Sequence, residues 1–230
     1  MPGPSEWELA LLPAVCEHDR QLADDSLFDL VPSPPLQARL VPILSRRGVT
    51  LGPALTRRPG VVEAITGIPG VGEVRLSPIG GTVGPGGPSW LAVLFAARIR
   101  EGTPRPLDAV LEVVRGWLEA RFSPLRLDRG RVEGAWCPGF SDLSVGGRKL
   151  VGVGFKLRRD AVLARAVVQL RPLREEELGV LDLCHRAFGP GVDGEVLTSL
   201  GEQLAQPQIT RRRALLILGA AGARTEKIPG

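Results

Sequence analysis

The feature that most constrains this chain is a run of strand-forming segments joined by tight turns between residues 134 and 170. Residues 134–157 read GAWCPGFSDLSVGGRKLVGVGFKL. Residues 141–145 alternate as a short strand, and the Gly146-Gly147 pair offers a two-residue hairpin turn. Arg148-Lys149 then open a second apolar, glycine-punctuated strand. Residues 161–170 (AVLARAVVQL) return against 150–157 across Arg158-Arg159-Asp160. A chain holding such a meander must build a sheet around it. The hairpin also brings a thiol, Cys137, and an ammonium, Lys149, to its two ends.

The segments on either side extend the pattern. Residues 36–45 predict a strand whose Pro42 suits an edge or a bulge, because proline cannot donate to a ladder. A turn at Arg46-Arg47-Gly48 leads back into residues 49–52. Residues 53–66 predict a helix interrupted at Pro59-Gly60, and 72–76 a short strand. Residues 90–99 (WLAVLFAARI) form a nearly continuous apolar run, short enough for a buried strand. Residues 106–122 carry the strongest helical pattern: Leu107, Val110, Leu111, Val114 and Leu118 recur at three and four, behind Pro106 in the first turn and Asp108 near the positive end. Residues 131–136 predict a strand. Helices are expected at 6–15, 19–30, 174–187, 194–205 and 211–221, with the Pro-rich VPSPP at 31–35 closing the second and a loose end at 224–230. Strands around a central helix, followed by helices, predict an α+β fold of mixed sheets flanked by helices. No repeat or linker divides it, so residues 1–230 read as one domain with 172–230 as its helical C-terminal part.

Composition narrows the setting. Hydrophobic residues at 43% and charged ones at 23% of 230 residues describe an ordinary globular protein able to bury a core. The absence of a long apolar run and of a basic N-terminal leader predicts a cytoplasmic protein without membrane contact. Three widely spaced cysteines (Cys16, Cys137 and Cys184) argue against a disulfide framework and against a metal site. The net charge of +4 comes from scattered basic residues and predicts no nucleic-acid partner. The triplet Arg211-Arg212-Arg213 reads as a solvated helix start. Of 29 basic side chains 26 are arginine, so Lys149, Lys156 and Lys227 stand out. An ammonium fits a tight polar pocket that the planar guanidinium does not, which suggests that position 149 requires lysine.

Cys137 has two readings. As a nucleophile it would attack a thioester readily, provided a cation or dipole favours thiolate and oxyanion and an apolar slot takes the chain. Lys149, with Trp136, Phe140, Val151 and Phe155, supplies those parts. As a structural residue it would be a small buried hydrophobe. The adjacent pairs Cys16 with His18 and Cys184 with His185 are weaker candidates, since neighbours on a helix point about 100° apart. Lys156 and Arg158-Arg159 read as the charged end of a hairpin, one that can face a partner. The glycine-rich loop at 77–88 can cradle a ligand's oxygens or simply form tight turns, and it lacks a Walker or G-x-G-x-x-G pattern.

Residues 137–154, CPGFSDLSVGGRKLVGVG, resemble the central motif of the biotin/lipoate ligase and lipoyl/octanoyl transferase superfamily. That motif pairs a segment ending Asp-Leu-Ser with Gly-Arg/Lys-Lys-x-x-Gly. The Cys-Pro-Gly opening most resembles the octanoyl-H-protein amidotransferases, which use that cysteine as nucleophile. The similarity extends over about residues 36–171. It implies a mixed α+β catalytic domain that moves an octanoyl or lipoyl group through a thioester on Cys137 to a lysine of a lipoyl domain. It implies Lys149 as the electrostatic helper near the acyl carbonyl, and Arg75, Gly80, Gly81, Thr82, Asp142, Ser144 and Gly152 as substrate-binding residues. The partners implied are lipoyl domains or the glycine-cleavage H protein, and acyl carrier protein as a donor, with no cofactor. The alternatives are a lipoate–protein ligase using ATP and Mg²⁺, and a non-catalytic relative that binds lipoyl domains. Leu76, Pro78 and Ile79 interrupt the family's arginine-rich loop, and Gly152-Val153-Gly154-Phe155-Lys156 replaces its polar continuation. Both departures count against the nucleotide.

Overall fold

A computed structural model describes residues 8–11, 15–16, 38–99, 105–158, 160–207, 209–218 and 224–227. In chain order the elements are β1 (Glu8–Leu11), β2 (Val15–Cys16), β3 (Ala38–Leu44), β4 (Gly48–Leu51), α1 (Pro53–Thr56), α2 (Val61–Thr66), β5 (Glu73–Leu76), β6 (Val83–Gly86), β7 (Trp90–Arg98), α3 (Pro106–Arg121), β8 (Asp128–Arg129), β9 (Leu143–Val145), β10 (Arg148–Leu157) and β11 (Ala161–Gln169). Then follow α4 (Glu175–Arg186), a 3₁₀ turn (Gly194–Val196), α5 (Leu200–Gln203), α6 (Arg211–Ile217) and β12 (Arg224–Lys227).

Nine strands form a mixed sheet in the order β12-β1-β3-β7-β11-β10-β9-β8, with β2 also pairing β3. A second, three-stranded sheet runs β5-β4-β6. The large sheet is covered on both faces, which explains why β7 is apolar throughout: Trp90 to Ala97 are all buried. Along β7 and β11 the side chains alternate between two cores. Leu91, Val93 and Phe95 join Val162, Ala164 and Ala166 under α3, where Phe95 meets Trp117 edge-on at 5.4 Å. Trp90, Ala92 and Leu94 join Leu163 and Val167 on the opposite face, packed against Val49 and Leu51 of the small sheet, Val61 and Ile65 of α2, and Leu181 of α4. Leu111 of α3 is fully buried, so its truncation to alanine forfeits ~2–5 kcal/mol.

The hairpin forms as the sequence predicts. Gly146 and Gly147 take φ of 57° and 77°, as a type I′ turn requires, and β10 pairs β11 from Val151↔Val168 to Leu157↔Val162. Helix α3 and the interrupted helix α1–α2 also form, the break falling at Pro59-Gly60.

Five expectations are corrected. Where the sequence predicts a helix over 6–15, the described residues form two strands instead, β1 and β2, both parallel to β3; non-local pairing outweighs local propensity. That pairing also makes β3 an interior strand. Pro42 is tolerated because β1 pairs at 38–40 and β2 at 43–44, leaving position 42 without a ladder partner on that side among the described residues. Residues 131–136 are a turn, not a strand: Gly134 has φ of 76°, and the Val132 N–H donates to the Asp142 carboxylate at 3.4 Å. The helix expected at 194–205 splits into the 3₁₀ turn and α5, because Ser199 caps α5 with Glu202 in a capping box and the Thr198 N–H bonds the Lys149 carbonyl at 2.9 Å. The end expected to be loose contains β12, antiparallel to β1.

The triplet at 211–213 does start a helix, α6, but Arg211 is not solvated. Its guanidinium donates to the carbonyls of Trp90 at 2.9 Å and Ser45 at 2.6 Å and to that of Gly87, so α6 is stapled to two turns of the sheets, while Arg212 and Arg213 are exposed. The helix and Pro-rich segment expected at 19–35 lie outside the described residues. No helix among those described is long and apolar enough to cross a membrane.

Candidate functional site

Between the small sheet, the 77–82 loop and the 136–142 turn lies a cavity of about 370 Å³, within the ~300–1,000 Å³ usual for small-molecule sites. Its floor is the outer face of β10 and β11, where Gly152 stands beside Val167 and Gly154 beside Arg165. Gly80, Gly81 and Thr82 form one wall, with Thr50 of the small sheet and Gly52, which caps α1, behind them; Cys137 to Asp142 form the other. Leu107 and Phe155 also line it, and Phe140, 57% exposed, belongs to this lining as well.

Cys137 occupies a left-handed backbone conformation, φ 44°, uncommon for a residue with a Cβ. Its sulfur accepts the Thr82 N–H at 3.2 Å. The approach is so close that a Cβ on Gly81 would lie 2.7 Å from Sγ, so glycine at 81 is what admits the thiol. The loop thus presents a backbone dipole to the sulfur.

Lys149 holds that turn from behind. Its ammonium is fully buried and donates to the carbonyls of Trp136 at 2.6 Å and Cys137 at 3.3 Å, while pairing with Asp142 Oδ1 at 2.7 Å. It also lies 3.9 Å from the centre of the Trp136 ring. The other carboxylate oxygen of Asp142 accepts the N–H groups of Gly139 at 3.0 Å and Val132 at 3.4 Å. Lysine and aspartate together therefore fix both ends of the turn carrying Cys137. Burial pushes the Lys149 ammonium down and the Asp142 carboxyl up, and their mutual attraction opposes both shifts. Charge at Cys137 also favours the Lys149 ammonium.

A register shift in β10 makes this geometry possible. Lys149 and Gly152 are three residues apart and would face opposite sides of a regular strand. The ladder with β9 jumps between Lys149 and Val151, the two-for-one count of a β-bulge. Both positions consequently reach the same indole: the Lys149 ammonium covers its face, and a Cβ on Gly152 would lie 2.3 Å from its far edge.

Of the predicted site residues, Cys137, Gly80, Gly81, Thr82, Asp142 and Gly152 line the cavity. Three are placed elsewhere. Lys149 stands behind the turn with its donors committed to protein acceptors. Arg75 pairs with Glu73 at 3.0 Å and packs over Gly86, outside the lining, because its strand β5 is the far neighbour of β4 from β6. Ser144 is buried in β9 between Asp128 and Lys149, again outside the lining. The apolar contacts expected from Phe140 and Phe155 are present; Val151 belongs to the core under α3, on the other side of the sheet. Residues missed from the sequence include Thr50 and Arg165. A lone arginine in the apolar strand AVLARAVVQL was the available signal for the latter.

The rival pair at 184–185 does not contribute. Cys184 is fully buried in the second core, and burial pushes its thiol up to about 11. Its neighbour His185, pushed down by burial, is outside the lining. Residue 18 lies outside those described.

No family model and no curated protein matches the chain. Solved structures do. A lipoate-protein ligase A bound with ATP aligns with 93% of this chain and 82% of its own at 14% identity, TM-score 0.62. A bi-partite lipoate protein ligase from Thermoplasma acidophilum, from a study with its E2 lipoyl domain, aligns with 93% of this chain and 80% of its own at 13% identity, TM-score 0.57. At such identities the likeness establishes the fold, the α+β catalytic-domain architecture of lipoate-protein ligases.

Proposed function

We propose that this chain is a cysteine-dependent acyltransferase of the lipoate-assembly type. Cys137 attacks the carbonyl of an octanoyl or lipoyl thioester, the donor's C–S bond breaks, and the donor thiol leaves with the proton the cysteine gave up. The neutral ε-amine of a lysine on a lipoyl domain, or on the H protein, then attacks the acyl-cysteine; the C–S bond to Cys137 breaks, an amide forms, and the thiol is restored with a proton from the amine. Thiol exchange is nearly isoenergetic, so the acyl group remains activated between the steps.

The observation that carries this reading is the Thr82 N–H bonded to Cys137 Sγ inside an apolar cavity. That N–H points at the nucleophilic sulfur, and the buried Lys149 ammonium stands behind the turn that carries it. Acyl carrier protein is the natural donor for such a thioester. The reading needs no cofactor.

The ligase alternative draws on the fold shared with a lipoate-protein ligase bound with ATP. The lining of the cavity supports it less well. Among the described residues of the lining Arg165 is the one cationic side chain, whereas a triphosphate and its Mg²⁺ call on several charged groups.

The test is transfer to a recombinant lipoyl domain. Octanoyl from an acyl carrier protein thioester should reach the domain's lysine without ATP, and Cys137→Ala should abolish it. Incorporation of free lipoate that demands ATP and survives Cys137→Ala would establish the ligase instead.

A further inference from the structure

Glycine recurs through the cavity lining, and at most of those positions the backbone or a close neighbour requires it. Gly80 has a left-handed φ of 105°. A Cβ on Gly52, Gly81, Gly152 or Gly154 would lie between 2.3 and 2.7 Å from a neighbouring atom, closer than real Cβ atoms come. Gly139 belongs to the turn that carries Cys137, and its N–H is committed to Asp142. Gly84 is the exception. It lies in the ladder of β6 opposite Thr50, and its φ is outside the left-handed region. Among the described residues a Cβ on it would meet Thr50 alone, whose carbonyl oxygen is 3.7 Å away and whose Cβ is 4.0 Å away, both ordinary contacts.

Glycine inside a strand costs stability, because it offers nothing to pack and gives up more chain entropy on folding. A β-branched residue would suit this ladder position better. The backbone therefore gives no reason for glycine at 84, whereas the cavity does: position 84 is part of its lining, and a side chain there would take up some of the 370 Å³.

The placement says which part of an occupant uses that space. Thr82, whose N–H reaches the Cys137 sulfur at 3.2 Å, is two residues before Gly84. Two residues of extended strand span about 7 Å. An extended chain advances ~3.3–3.6 Å for every three bonds of its backbone, so the same span takes about six bonds of an acyl chain counted from the sulfur. A butyryl group ends short of that distance, and an octanoyl group reaches it with its distal carbons.

We propose that Gly84 is a specificity-determining residue: the space left by its missing side chain takes the distal methylene groups of a medium-chain acyl group, and the residue at 84 sets the longest chain the cavity accepts. The inference rests on Cys137 as acyl carrier and deepens that reading by naming what fixes the chain length.

The experiment follows acylation of Cys137 by intact mass with butyryl-pantetheine and octanoyl-pantetheine at limiting concentration. An apolar pocket separates chains one methylene apart by roughly 10–200-fold, so Gly84→Val should lower the octanoyl-to-butyryl rate ratio at least tenfold relative to wild type. Gly84→Ala should lower it in the same direction by less, and decides the matter should the valine variant fail to fold. The ratio is insensitive to a general loss of activity. Urea unfolding adds a readout that needs no activity: Gly84→Ala should unfold at a midpoint equal to or above that of wild type, since alanine restricts the unfolded chain. An unchanged ratio in the folded variants would mean that the chain runs towards Leu107 and Phe155 instead, and overturns the inference while leaving the carrier reading intact. A lower midpoint for Gly84→Ala overturns it as well, because the glycine would then be structural. No adduct on wild-type Cys137 with either thioester overturns the carrier reading and this inference with it.

Discussion

Replacing Lys149 by methionine isolates what the buried ammonium does, because methionine keeps an unbranched stem and removes only the charge and its donors. The ammonium is 0% exposed and has three protein acceptors within 3.3 Å. Removing it leaves the Asp142 carboxylate buried with two backbone N–H groups, and leaves the Trp136 and Cys137 carbonyls without that donor. Breaking one partner out of a buried ion pair costs ~3–5 kcal/mol, most of it the uncompensated charge. The orphaned carbonyls belong to the same network, so their cost is not added separately. Against a typical total of ~5–15 kcal/mol this is a large but survivable loss. Urea unfolding should show a lower midpoint at unchanged slope. The deficit should also depend on pH. Burial already pushes Asp142 above its ordinary 3.8, and without Lys149 the shift grows. A group raised on folding contributes stability at low pH that is lost as pH rises through its folded value, so the deficit should be smaller near about pH 4.5 than near about pH 8. Adding Asp142→Asn should recover at least ~1 kcal/mol at pH 8, a coupling typical of contacting residues. A loss below ~1 kcal/mol for Lys149→Met, independent of pH, would refute the clamp.

Three further outcomes follow from the same geometry. Gly81→Ala should slow iodoacetamide alkylation of Cys137 at least tenfold, since the new methyl would lie 2.7 Å from the sulfur; an unchanged rate would mean that the thiol does not face the loop. At about pH 8 the same reagent should label Cys137 and spare Cys184, whose thiol burial pushes up to about 11; peptide mapping distinguishes them, and modification of Cys184 in folded protein would contradict its burial. Although burial works against it, Glu177 is held below its ordinary 4.5 by bonds from Ser89, the Arg174 N–H and Arg171. Its contribution is therefore present above that value and lost as pH falls through its folded one, so Glu177→Gln should lower stability at neutral pH and flatten its decline in acid, with parallel curves for variant and wild type counting against the bond set.

Much of the fold follows from local signals. Gly146-Gly147, the apolar run of β7 and the periodicity of α3 each determine their element from within a few residues. The N-terminal strands are different, because their partners are β3 and β12 and nothing in the segment itself reveals a parallel neighbour; helical propensity is then the misleading cue. The site divides the same way. Cys137, Asp142 and Gly152 belong to one contiguous motif and could be named together. The role of Lys149 could not be read from that motif: an extra residue in β10 turns its side chain towards the Trp136 indole, and a phase shift of one residue leaves no trace in composition. Thr50 joins the site only because two sheets meet over the 77–82 loop. Arg75 shows the converse, a charge next to a glycine loop in sequence that the sheet order carries to the far side.

The central claim is that Cys137 carries the acyl group. Intact mass of the protein after incubation with an acyl-pantetheine thioester, mapped to the modified peptide and repeated with Cys137→Ala, addresses it most directly. A hydroxylamine-labile adduct of one acyl group on Cys137, absent from the variant, is the predicted result. No adduct with any octanoyl or lipoyl donor, or an equal adduct on Cys137→Ala, would contradict it.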